Sequence, residues 1–73
     1  MADIKYEIIN KIGVLSHTEK GWEKVLNLIS WNDREAKYDI RDWSPDGKTM
    51  SKGITLSKEE LIALKNLLNQ MEL

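Results

Sequence analysis

The sequence predicts an α+β domain, in which a curved antiparallel sheet of four strands is followed by one C-terminal helix. Three observations support this ββββα architecture. The first 56 residues contain runs rich in β-branched and aromatic residues, which favour strands. Short clusters of turn-forming residues separate those runs. The last part of the chain has apolar residues at helical spacing behind an N-cap. With 73 residues, the chain is expected to form a single domain over 1–73.

The first two strands are expected to be long and joined by a hairpin loop. Residues 4–16 alternate imperfectly between apolar and polar, and Gly13 within them predicts a bend or a bulge. Polar residues 17–21 form the loop, and residues 22–33 form the second strand, which ends in a turn at 32–35. At about 3.3 Å per residue such a strand spans roughly 40 Å, so the sheet must curve and twist.

The third and fourth strands are predicted over 36–43 and 50–56, on either side of a tight turn. Pro45 presets φ at the first central position of the turn, and Gly47 suits a positive φ at its exit. Gly53, within the last strand, predicts a bend or a close approach of two backbones. The result is an antiparallel meander in which each strand pairs with the next.

The C-terminal helix has a defined start. Ser57 is the expected N-cap, and Glu60 completes a capping box. Because a chain this short buries little apolar surface and has no cysteine, self-association is a natural source of extra stability. The apolar stripe of the helix is also wider than one sheet face requires. We therefore expect a homodimer with an interface that contains Leu61, Leu64, Leu67, Leu68 and Met71.

The composition argues against several functional classes. We found no pairing of a nucleophile with a base, no glycine-rich phosphate loop and no metal-ligand cluster in the sequence, and His17 is the only histidine. We therefore expect no enzymatic activity, no cofactor, no metal and no small-molecule substrate. No apolar run reaches the roughly 18 residues of a membrane span. The lack of cysteine fits a reducing cytoplasm, so we expect a cytoplasmic protein without a membrane partner.

The third strand carries the strongest functional signal. Alternation places Lys37, Asp39, Arg41 and Trp43 on one face. Cations and an aromatic ring along one exposed strand suit a ligand with an anionic backbone and flat side groups, such as single-stranded nucleic acid. The formal net charge of −1 opposes this interpretation, because nucleic-acid-binding domains are usually basic. Any basic surface must therefore be local.

Ordinary structural roles compete with binding for the same residues. A tryptophan in a small protein is commonly part of the core, and Arg41 has an ion-pair partner nearby in Asp39. For Trp31 and Trp43 the strand parity favours binding, whereas Trp22 fits either role. We favour phosphate contact for Arg41 because it lies beside Lys37 and Trp43.

The segment YDIRDWSPDG at 38–47, followed by KGITL at 52–56 and a capped helix, resembles the C-terminal domain of the transcriptional coactivator p15 family, also called positive cofactor four. The GW and SWND motifs at 21–22 and 30–33 resemble its bacterial YdbC-type branch. The resemblance implies a homodimer whose curved sheets bind single-stranded DNA. A role in transcription regulation, replication or repair is implied, with RNA as a further ligand and association with the bacterial nucleoid as a further location.

The resemblance also assigns individual positions. The strand arginine of the family corresponds to Arg41, its strand-end aromatic to Trp43 and its lysine before Gly-Ile to Lys52. The aromatic that ends the earlier strand corresponds to Trp31, and a basic residue early in that strand to Lys24. The predicted nucleic-acid-binding residues are Trp22, Lys24, Asn27, Trp31, Lys37, Asp39, Arg41, Trp43 and Lys52. The alternative is a protein-interaction module that binds a peptide or helix through the same aromatic face.

Overall fold

The computed structural model describes residues 5–73 and confirms the predicted fold class. Within this range the chain forms strands β1 (Tyr6–His17), β2 (Glu23–Trp31), β3 (Lys37–Trp43) and β4 (Ile54–Leu56), followed by helix α1 (Lys58–Gln70). These described strands form one antiparallel sheet in the order β1-β2-β3-β4. The predicted start of the first strand, at residue 4, lies outside the described residues.

The register irregularities lie on β1, whereas β2 and β3 pair without interruption. The β1–β2 register shifts between Ile8 and Asn10, between Lys11 and Gly13, and again between Val14 and Ser16. The prediction of a bulge near Gly13 is therefore confirmed. An extra residue in one strand bends that strand and increases its twist. Repeated shifts of this kind within nine residues make β1 bend strongly over its neighbours.

Aromatic contacts show how far the sheet curls. Tyr6 pairs with Trp31, whereas Trp43 pairs with Glu23, eight positions earlier on β2. Eight residues of flat strand span about 26 Å at roughly 3.3 Å each. Nevertheless the Tyr6 ring centroid lies 5.6 Å from that of Trp31 and 5.7 Å from that of Trp43. The sheet therefore has an inner face, which contains Val25, Asn27, Ile29, Asp39, Arg41 and Trp43.

The buried core lies on this inner face. Val25, Ile29 and Trp43 are buried, and Tyr6, Trp31 and Met50 pack against them as half-buried neighbours. The buried residues therefore lie on the face of the sheet that does not carry the helix. The physical reason is the curl, which closes the inner face on itself. The opposite face, called here the helix-bearing face, contains Leu26 and Ile40, and no residue of α1 among those described is buried.

The turn between β3 and β4 has the predicted chemistry. Gly47 has a φ of +74°, and its backbone N–H donates to the Ser44 carbonyl at 2.9 Å. The Ser44 hydroxyl donates to the Asp46 carboxylate at 2.6 Å, and the Lys48 backbone N–H donates to it at 2.9 Å. These two hydrogen bonds lower the pKa of Asp46, because both stabilise the carboxylate.

The fourth strand is shorter than predicted. Met50 forms an isolated bridge with Trp43, and regular pairing resumes only at Ile54. A Cβ atom at Gly53 would collide with the backbone oxygen of Ile40 and with Arg41. Glycine is therefore required here for a close approach of backbones, as the sequence predicted.

The predicted capping box is present at the start of α1. The Glu60 backbone N–H donates to the Ser57 hydroxyl at 3.1 Å, and the Ser57 backbone N–H donates to the Glu60 carboxylate at 2.8 Å. Two backbone donors that the first helical turn leaves without helical partners are thus satisfied. The helix start is a local property, which explains why the sequence located it correctly.

Candidate nucleic-acid interface

A buried carboxylate organises the centre of the inner face. Asp39 is 0% exposed and accepts two hydrogen bonds from Arg41, from Nε at 2.6 Å and from a terminal nitrogen at 2.7 Å. The Thr55 hydroxyl, on the neighbouring strand, lies 3.2 Å from the same carboxylate. A charge buried this deeply requires a partner of opposite charge and good hydrogen bonding. The pair is therefore internal, not the surface ion pair that the sequence offered as an alternative.

Arg41 also lies over an aromatic ring. Its guanidinium carbon is 4.7 Å from the centroid of Trp31, a cation–π distance. Its side chain is 14% exposed. Because its nitrogens are engaged by Asp39, only part of the guanidinium is open to a ligand. Contact between Arg41 and phosphate stays a prediction, while its positions beside Asp39 and over Trp31 are observed.

The inner face also contains polar atoms without partners. Asn27 is 2% exposed and Trp43 is 6% exposed. Among the described residues, Asn27 Oδ1 and the indole nitrogens of Trp31 and Trp43 have no hydrogen-bond partner. The expectation that Trp43 is openly exposed is wrong, because the curl of the sheet buries its ring. Trp31 is half-buried and is the more accessible ring of the two.

The structure separates Lys24 from the inner face. Lys24 pairs with Asp42 on β3 and with Ser16 on β1, so it shares the helix-bearing face with Leu26. Lys24, which the family resemblance assigns to the binding residues, therefore does not share a face with Trp31 and Arg41. Strict alternation along β2 would have found this, since adjacent residues of a strand point to opposite faces.

The remaining predicted residues lie around the edges. Lys52 is exposed and borders a shallow depression with Lys24. Lys37 is exposed at the start of β3, where it pairs with Ile29. Trp22 is half-buried just before β2, and its backbone N–H donates to the Thr18 hydroxyl at 3.1 Å.

Sequence reasoning missed two inner-face residues on β1. Tyr6 contacts both Trp31 and Trp43, and Lys11 pairs with Asn27. The sequence signal that could have identified inner-face residues of β1 is a spacing of three residues. The residues of β1 that pair with the inner-face side of β2 are Ile8, Lys11, Val14 and His17. This spacing differs from the strand period of two because a bulge intervenes at each step.

The helix-bearing face has a different character. A groove of about 480 Å³ runs between α1 and the sheet, with walls that include Leu15, Leu26 and Ile40. Of the predicted interface residues, Leu61 and Leu64 are half-buried, and Leu67, Leu68 and Met71 are exposed. Within residues 5–73, no helix is long and apolar enough to cross a membrane.

The fold and this site define a small antiparallel ββββα domain whose curled sheet holds an arginine against tryptophan on its inner face. Residues 18–67 match the family described as Transcriptional Coactivator p15 (PC4), and the chain belongs to that family. The family is a nucleic-acid-binding, non-enzymatic one. An uncharacterized protein of Treponema pallidum (strain Nichols) is 51% identical over 71 residues, which cover 97% of this chain and 84% of that protein.

Proposed function

We propose that this protein binds single-stranded DNA as a homodimer, with RNA as a second ligand, in transcription, replication or repair. Membership of a nucleic-acid-binding family supports the proposal. The structural observation that carries it is the guanidinium of Arg41 held 4.7 Å from the centroid of Trp31. A cation and an aromatic ring in contact serve both the phosphate backbone and the bases of a single strand.

Each inner-face residue has a distinct expected role. Trp31, the more accessible ring, supplies a stacking surface worth roughly 1–3 kcal/mol per base. The guanidinium plane of Arg41 extends that surface, since arginine also stacks on bases. Lys37, exposed beside the inner face, neutralises phosphate and releases counterions. Trp43 contributes mainly by supporting this arrangement from within the core.

The exposed apolar residues of the helix-bearing face support a dimer. Leu68 is exposed beside an apolar groove, and a second copy of α1 has a matching apolar stripe. Packing two such faces together removes apolar surface from water, worth roughly 25 cal/mol per Å². Each protomer's inner face then remains outside the interface, so its half-buried Trp31 and Arg41 are not covered by the partner.

The test is a titration with oligo-dT at several salt concentrations, in which tryptophan fluorescence reports binding. We expect quenching and an affinity that falls as salt rises. Lys37→Ala should reduce the slope of log affinity against log salt by about one. Lys48→Ala, exposed in the turn between β3 and β4, is the matched control and should leave the slope unchanged. An affinity that does not respond to salt would contradict the proposal.

The alternative is a protein-interaction module that uses the same aromatic face. It predicts quenching by a peptide, weak dependence on salt and no response to oligonucleotides. Membership of a nucleic-acid-binding family favours a strand over a peptide, whereas the burial of Trp43 reduces the ring surface available to either ligand. The same fluorescence titration distinguishes the two functions.

A further inference from the structure

The chain between the β3–β4 turn and the end of β4 contacts Arg41 and its carboxylate partner. Pairing of β3 with β4 places Thr55 opposite Asp39, so the Thr55 side chain lies on the inner face. Gly53 allows this pairing, because a Cβ atom there would collide with Arg41. At the other end of the segment, the Met50 sulfur lies 3.5 Å from Nη1 of Arg41. The neighbouring segment therefore contacts Arg41 directly at one end and through its carboxylate partner at the other.

The carboxylate of Asp39 links Thr55 to Arg41. The Thr55 hydroxyl donates to Oδ2 of Asp39 at 3.2 Å, and the same oxygen accepts from Nη2 of Arg41 at 2.7 Å. The other carboxylate oxygen accepts from Nε of Arg41 at 2.6 Å. Two parallel hydrogen bonds of this kind fix the guanidinium relative to the carboxylate. Because Asp39 is fully buried, bulk water does not replace a hydrogen bond that it loses.

We infer that Thr55 is a positioning residue for strand binding, and the inference rests on the proposed nucleic-acid-binding function. Its hydroxyl orients the Asp39 carboxylate, and the carboxylate holds the Arg41 guanidinium 4.7 Å from the centroid of Trp31. A long side chain that a ligand must first order loses rotamer freedom on binding, which weakens the affinity. Because Arg41 is ordered before the strand arrives, this loss is smaller.

Thr55 acts through Arg41 and not as a ligand-binding group of its own. A threonine hydroxyl has one proton to donate, and Thr55 directs that proton to the buried carboxylate. The side chain carries no charge, so it neutralises no phosphate. Loss of the hydroxyl should therefore lower the affinity for a strand without changing its salt dependence, in contrast to the loss of Lys37.

The first experiment measures oligo-dT affinity at several salt concentrations for three variants. Thr55→Val removes the hydroxyl and keeps the branched shape that suits a strand. We expect its affinity to fall about threefold to tenfold, the effect of ordering one long side chain on binding, with an unchanged salt slope. Thr55→Ser keeps the hydroxyl and should bind nearly as the parent does. Thr49→Val, which removes an exposed hydroxyl from the turn, is the matched control and should also bind as the parent does.

The second measurement observes the guanidinium without any ligand. The Nε–H resonance of Arg41 reports its hydrogen bond to Asp39, and the exposed Arg34 supplies a reference. In Thr55→Val the Arg41 resonance should move toward that of Arg34, whereas in Thr49→Val it should stay in place. An unmoved resonance in Thr55→Val would overturn the positioning role, even if the affinity falls.

A double-mutant cycle separates positioning from direct contact with the strand. Arg41→Lys keeps the charge and removes the planar fork that pairs with the carboxylate. In that background, Thr55→Val should cause no further loss of oligo-dT affinity. An equal loss in both backgrounds would show that Thr55 contacts the strand itself, which would overturn the inference while the proposed function stands. A parent protein that binds no strand would overturn both.

Discussion

The two faces of the sheet differ in a way that reverses the usual division of a small α+β domain. The inner face has no helix over it, yet it contains the buried core and the buried Asp39–Arg41 pair. The helix-bearing face has Leu15 and Leu68 exposed beside an open groove. Curvature, not coverage by the helix, therefore determines which face is inside. Apolar side chains of the helix, such as Leu68, are therefore left exposed.

The largest effect is expected from removing the buried carboxylate. Asp39→Ala leaves the guanidinium of Arg41 buried without its partner, which should lower the free energy of unfolding by about 3–5 kcal/mol. Urea denaturation measures the loss. The control is Lys5→Ala, which breaks an ion pair of similar length, 2.8 Å to Asp33, on the open surface. It should cost less than about 1 kcal/mol. Equal losses would show that the inner face is not the buried one.

The next largest change in the free energy of unfolding is expected from removing apolar side chains on the two faces. Ile29→Ala removes a fully buried side chain and should lower the free energy of unfolding by about 2–5 kcal/mol. Ile62→Ala, at an exposed position of α1, should have a much smaller effect because alanine also favours helix. Thermal and urea unfolding of both variants test this. A larger loss for Ile62→Ala would place the core beneath the helix.

Self-association should depend on the helix-bearing face alone. Leu68→Asp introduces a charge into the proposed interface and should weaken dimerisation by at least about tenfold. Asn66→Asp introduces the same charge elsewhere on the helix and should leave the dimer intact. Light scattering over a concentration series measures both. A dimeric Leu68→Asp variant would move the interface to another surface.

The smallest effect is expected in the turn between β3 and β4. The Ser44 hydroxyl lowers the pKa of Asp46 below its ordinary value of 3.8, so Ser44→Ala should raise that pKa. A lowered native-state pKa stabilises the fold above the unfolded value, and the stabilisation disappears as pH falls through the native value. The parent should therefore lose more stability than Ser44→Ala below about pH 4. Carboxyl chemical shifts across this range measure the pKa, and an unchanged value would contradict the assignment.

Local features were predictable from the amino acids because each depends on a few neighbouring residues. The capping box at Ser57, the turn at Gly47 and the close approach at Gly53 are all present. Alternation along β3 also placed Asp39, Arg41 and Trp43 on one face. The candidate site was partly predictable for the same reason, because its β3 residues share one regular strand.

Burial was not predictable in the same way. Alternation indicates which side chains share a face, but curvature decides whether that face is open or closed. Here the curvature comes from the irregular pairing of β1 with β2, which is a property of two strands together. The amino-acid order thus determined the strands, the turns and the helix start. Folding in three dimensions determined that Trp43 is buried and that Lys24 lies on the other face, because both depend on how strands pair and bend.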